Sequence, residues 1–305
     1  MKVLASSVIR SSVKGEIHGG LYLVDLKRGH VSQVLKRDNI NIDWSGRGGE
    51  RGLRGIEFYG DTIILTDHDK ILLFDINFNL QGKYTNQYFG GCHEISRYGK
   101  KLYVTSTKRN SILTFDLEKK EFDLGFWIRS DSTDICNFNP HRKLGPIHND
   151  VDHINSVFAS GDSFYLSGLG NDKIWKVGDR WMSVYCQIEK ETHNARPYKD
   201  GVIYVNTGER QVAYRPDLYK KRTYSIKIPR FRQDKMINTD LPERIAREGW
   251  GRGLCVVDKE NDILASGSSP ATITLYDMKK ENILNRVIIS RDKRNAIHGL
   301  EVWPY

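Results

Sequence analysis

The C-terminal stretch "IHGLEVWPY", Ile297 to Tyr305, decides how this chain is read. It starts like "CHEISRYGKKLYVTS", which begins at Cys92, where a strand is followed after a Gly turn by a second strand ending in small polar residues. After Ile297 to Tyr305 no second strand follows. "KVLASS", Lys2 to Ser7, supplies it, because it looks like the "ILASGSS" that Ile263 to Ser269 places in the equivalent position of another copy. The C-terminal stretch therefore reads as the first strand of a sheet completed by the N-terminus, which closes a ring of repeats.

Working outward, aligning on the turn Gly and the paired strands gives six copies. They are "LRGIEFYGDTIILTDHDKILLFDI" from Leu53, "CHEISRYGKKLYVTSTKRNSILTFDL" from Cys92, "NSVFASGDSFYLSGLGNDKIWKV" from Asn155, "ARPYKDGVIYVNTGERQVAYR" from Ala195, "GRGLCVVDKENDILASGSSPATITLYDM" from Gly251, and the split copy. Each is followed by an outer segment of strand character, such as "HVSQVLK" or "RTYSIKI". Period-two patterning, β-branched and aromatic residues and Gly or Asn-Asp turns mark antiparallel blades of four strands. The fold predicted is all-β: a single six-bladed β-propeller over residues 1–305, its last blade closed by the N- and C-terminal strands together. Asp25, Asp75, Asp116 and Asp277, which end third strands, read as turn residues. This pattern resembles the six-bladed propellers of the NHL-repeat, strictosidine-synthase and gluconolactonase kind, over nearly the whole chain.

Composition sets the bounds. The formal net charge is +9, but the basic residues are dispersed in short groups such as "YKKRTY" and "RDKR", which argues against a nucleic-acid surface. No apolar run reaches the roughly 20 residues that span a bilayer, so no membrane partner is expected. The four Cys form no C-x-x-C pair, and a cytoplasmic protein with reduced thiols is expected.

Three long connections, 38–52, 130–153 and 230–250, open on the face where the inner strands begin, which points to a covered site. "LPERIAREGW" in the third is expected to carry a short helix.

Five of the nine His fall at or beside that face. His93 and His298 stand two residues before the apolar residue of their inner strands, and His153 and His193 precede theirs by two further positions. An offset of two keeps side chains on one face of an extended strand, so all four can point at the axis. His148 lies just upstream in a loop, while His18, His30, His68 and His141 read as surface residues. At the same phase the other two copies carry Arg54 and Arg252.

Converging neutral imidazoles suit a divalent transition metal, Zn, Fe, Cu or Mn, with His93, His153, His193 and His298 as candidate ligands. A metal-free acid/base site and a merely polar channel are the alternatives. Arg54 and Arg252 are placed in catalytic roles, stabilising charge, and Asn155, Asn194 and Arg196 as substrate contacts, because guanidinium forks suit carboxylates or phosphates. An ion pair with Glu57, Glu94 or Glu301 is the structural alternative for each Arg. The expectation is a metal-dependent lyase, hydrolase or oxygenase acting on a small anionic or carbonyl-containing molecule. It resembles in outline the propeller lyases and oxygenases that hold a metal with axial His, such as peptidyl-hydroxyglycine amidating lyases and carotenoid oxygenases. Gluconolactonase-like propellers use carboxylate and Asn ligands, and the His-rich ring departs from them. A non-catalytic scaffold for a protein or glycan is the competing function.

Overall fold

A computed structural model describes residues 1–46, 48–129, 135–219 and 222–305. Arg47, the first residues of the second long connection (130–134) and the two Lys of "YKKRTY" lie outside the described residues.

The period-two segments form six antiparallel sheets, each ordered from an inner to an outer strand. The inner strands are β4 (Ile56–Tyr59), β8 (Ile95–Tyr98), β13 (Ile154–Ser160), β17 (Thr192–Tyr198), β21 (Arg252–Asp258) and β25 (Asn295–Val302). Strand β25 pairs with β1 (Lys2–Ile9), followed outward by β2 (Gly19–Asp25) and β3 (His30–Arg37), so the C-terminal strand and the N-terminal hairpin share one blade as expected. The register sets Val3 against Val302, Leu4 against Glu301 and Ala5 against Leu300. One blade differs from the expected four strands: the second long connection adds a short outer strand, β12 (Ile135–Phe138), to the sheet that begins with β8.

Turn chemistry sets the hairpins. Asp25 accepts from the amides of Lys27 and Arg28, Asp75 from Asn77 and Asn79, Asp116 from Glu118 and Lys119, and Asp277 from Lys280. Each side chain caps amides that the strand leaves unpaired. Gly60, Gly99 and Gly161 take φ of +51°, +59° and +60° in the inner hairpins, a left-handed conformation that costs glycine little.

The core lies between blades. Six apolar clusters each join two neighbouring sheets. The cluster of Val3, Ala5, Cys255, Ile273, Ile297 and Leu300 fastens the closing blade to the one before it, and that of Leu4, Leu21, Ile56 and Leu65 to the one after. Each blade is thus packed against both of its neighbours. "LPERIAREGW" forms no helix: only one turn closes there, with Ile245 and Ala246 donating to Pro242, while a single helical turn sits upstream at Gln233–Lys235. No helix among the described residues is long and apolar enough to cross a membrane.

Candidate functional site

Four of the six inner strands break register at one end. The extra residues are Asn155 on β13, one of Asn194 and Ala195 on β17, Gly253 on β21, and one of His298 and Gly299 on β25. In the other two blades the inner chain leaves the ladder at Gly55 and Glu94. A bulge turns a side chain out of the pleat, and here it turns residues toward the axis. Small polar residues of the second strands satisfy the freed amides. Thr105 Oγ1 accepts from His93 N at 2.9 Å and Glu94 N at 3.1 Å, Thr66 Oγ1 from Gly55 N at 3.0 Å, and Ser6 Oγ from Gly299 N at 2.8 Å.

The bulges bring the imidazoles together. His93 is central: its ring centroid lies 5.1 Å from that of His153, 5.9 Å from His298 and 6.2 Å from His193. Burial, and then the charge of Arg252, hold His93, His193 and His298 well below the ordinary histidine pKa, so these rings are neutral. His298 Nε2 lies 3.2 Å from Arg252 Nη1, which has no lone pair to offer, so Arg252 donates and His298 accepts. His153 Nδ1 is 3.0 Å from Asp150, and its backbone is left-handed at φ +49°. The carboxylate orients the ring and leaves Nε2 as a base. Thr207 donates its hydroxyl proton to Gly251 O, so His193 Nδ1, 2.7 Å away, donates to Thr207 Oγ1. His193 Nε2 is buried with no hydrogen-bond partner.

These residues wall a cavity of about 180 Å3 at the mouth, lined by Arg10, Arg54, His68, Lys108 and Arg252 as well as His93, His153 and His298. Among the described residues, Asp150 is the one carboxylate in that lining. Arg54 is 6% exposed; its Nη2 donates to Gly49 O at 2.7 Å and Gly48 O at 3.4 Å. Its Nε and Nη1 are buried without a partner. Asp67, the carboxylate it senses, pairs with Arg37 at 3.0 Å. Burial lowers the Arg54 pKa, yet a guanidinium remains charged at neutral pH.

Below the imidazoles lies a layer of buried carboxyl groups. Glu94, Glu301 and Asn194 share a narrow space with His93 and His298. Burial raises Glu94 to about 7 and Glu301 to about 8, with Glu57 and Glu94 adding to the rise at Glu301. Arg196 belongs to this layer: it donates to Leu254 O at 2.7 Å and lies 3.8 Å from Glu301. The expected substrate contacts are therefore not gathered at the mouth. Arg196 takes the structural alternative, Asn194 bridges Glu94 and Gly253 N, and Asn155 is bound to Thr192 O and Ser156.

Two readings of the sequence are corrected. His18 and His68 are not surface residues but 0% and 5% exposed, with His18 Nδ1 accepting from Gly52 N at 2.9 Å. The long connections bury both, and local sequence carries no trace of that. Lys108 and Arg10 were also unforeseen at the mouth; the basic residue after the small polar "TST" and "ASSVIR" ends was the signal available. Among the described residues, no three or more His, Cys, Asp or Glu come together as a group that could hold a metal ion.

No family model and no curated protein matches the chain. Among solved structures, a chain of a nidogen/laminin complex aligns at a TM-score of 0.60 and 10% identity, over 99% of this chain and 98% of that one. A streptogramin B lyase structure aligns at 0.43 and 13% identity, over 74% and 68%. At such identities the first likeness speaks to the fold alone: the chain is a six-bladed β-propeller whose ring is closed by its own two ends.

Proposed function

We propose that the protein is an enzyme acting on a small anionic molecule held at the propeller mouth, with neutral imidazoles as its proton-transfer groups. Arg54 carries this reading. A buried, uncompensated cation costs several kcal/mol, and an anion offered to its two unmet N–H groups removes that cost. An imidazole beside it can take a proton from the bound molecule or from water, and His153, oriented by Asp150, is the first candidate base. Arg252, which donates to His298, supplies a second cation for charge that develops in the reaction.

A divalent metal is the second reading, favoured by one observation. Two imidazoles on a shared tetrahedral ion have centroids roughly 5 Å apart given Zn–N bonds of about 2.0 to 2.1 Å, and His93 and His153 stand 5.1 Å apart. The neighbouring guanidiniums oppose a dication, which ranks this reading second.

Calorimetric titration with inorganic phosphate and, separately, with zinc tests both. The anion reading expects phosphate to bind one site and Arg54→Gln to weaken it about tenfold or more, the loss of a charged hydrogen-bonding partner. Equal binding by wild type and variant, or none by wild type, defeats it. Stoichiometric zinc binding lost in both His93→Ala and His153→Ala would favour the metal instead.

A further inference from the structure

The first cavity opens beside a second. A chamber of about 490 Å3 shares His153 and Arg252 with it and is lined further by Glu191, His193, Thr207, Arg247 and Trp250. Arg247 repeats the condition of Arg54: Nη2 donates to Thr207 O at 2.9 Å, while Nε is buried with no hydrogen-bond partner. Glu243, one of the acids that act on it, pairs with Arg210 at 3.7 Å, leaving Glu191 as the one carboxylate on the chamber wall. The Trp250 ring orders this region, with the guanidiniums of Arg10, Arg247 and Arg252 at 4.5, 5.0 and 5.3 Å from its centroid. Cations near an indole ring are attracted by its quadrupole, which helps to hold the three guanidiniums beside the cavities.

We infer that the substrate of this site carries two anionic groups, one held by Arg54 in the first cavity and the other by Arg247 in the second chamber. The inference rests on the anion reading above and narrows it to a class: a dicarboxylate, or a carboxylate joined to a phosphate. One acidic group is not expected to meet both sets of open donors, because Arg54 lines the first cavity and Arg247 the second, with His153 and Arg252 lining both. A molecule that spans the wall puts its middle atoms against His153, the residue with a carboxylate-oriented ring. Proton transfer would then act between the two acidic ends.

The test is a calorimetric series of linear dicarboxylates from malonate to suberate, with acetate and inorganic phosphate as single-group probes. Wild type, Arg54→Gln, Arg247→Gln and Arg247→Lys are compared. One chain length is expected to bind about tenfold or more tighter than acetate, as a second tethered contact gives. Arg247→Gln is expected to remove that gain while phosphate still binds within about twofold of wild type, a difference too small to signal a lost contact. Arg247→Lys keeps part of the gain, and Arg54→Gln weakens every ligand. No gain at any length, or equal loss of phosphate and dicarboxylate in Arg247→Gln, overturns the inference. If wild type does not bind phosphate at all, the anion reading itself fails; phosphate binding that depends on Arg54 with no gain at any length overturns only the two-ended substrate.

Discussion

Arg54 and Glu301 lie on opposite sides of the imidazole layer, and both are charged groups that burial penalises. At Arg54 the proposed anion would relieve the penalty; at Glu301 a proton does. Glu301 feels Arg196 as its nearby cation and Glu57 and Glu94 as nearby acids, with burial the largest influence, and is pushed up to about 8 from an ordinary 4.5. The folded protein then binds more protons than the unfolded chain between those values, so stability falls as pH rises through that window. Glu94, pushed up to about 7, titrates in the lower part of the same window, while burial holds His93, His193 and His298 well below the ordinary histidine value, so Glu301 contributes most toward pH 8. Urea midpoints should decline toward pH 8 in wild type and decline less steeply in Glu301→Gln; an equally steep decline in the variant would show that another group is responsible.

At the scale of the element, β25 joins closure to chemistry. Ser6 Oγ on β1 accepts from Gly299 N and donates to the carbonyl of Arg54, so one hydroxyl ties the N-terminal strand, the C-terminal strand and Arg54. Ser6→Ala should therefore cost about 1 kcal/mol of stability, the net worth of a hydrogen bond, and weaken phosphate binding as well. Retained affinity in a destabilised Ser6→Ala protein would separate the two. Gly299 is required by space: a Cβ there would stand 2.0 Å from Arg54 O, backbone that cannot turn aside. Ile297 is fully buried between the closing blade and its neighbour, and Ile297→Ala should lower the unfolding free energy by about 2 to 5 kcal/mol. A loss under about 1 kcal/mol, the size of a tolerated swap, would mean that the seam is not packed as described.

How far the sequence was legible is visible in these same residues. The small polar ends of the second strands stood out as part of the repeat, and their role, capping the amides of a bulge, emerges only in three dimensions. The bulges changed which residues reach the mouth. His93, His153 and His298 line it and His193 lies alongside, whereas Asn194 and Arg196, a strand position away, fall into the carboxylate layer. His68 joined the site because loop burial is a long-range event. Net charge gave no hint of the layering, since a total does not say where in the fold the charges lie.

For the whole molecule, closure by the two ends makes the ring's integrity depend on a non-covalent seam. Trp303 N donates to Lys2 O at 3.0 Å, so the termini lie side by side. Joining Tyr305 to Met1 through a short linker should preserve the fold and raise the melting temperature, because it removes conformational freedom from the unfolded chain. An unchanged or lower melting temperature would argue that the seam does not open early in unfolding. Six apolar junctions fasten the blades to one another around the ring.

The most direct test is a crystal of the wild-type protein soaked in tungstate, a strong anomalous scatterer of phosphate-like charge. The account predicts an anomalous peak in the mouth cavity within hydrogen-bonding distance of Arg54 Nε or Nη1, absent from Arg54→Gln crystals soaked alike. Saturating tungstate with no peak beside Arg54, or the same peak in the variant, would contradict it.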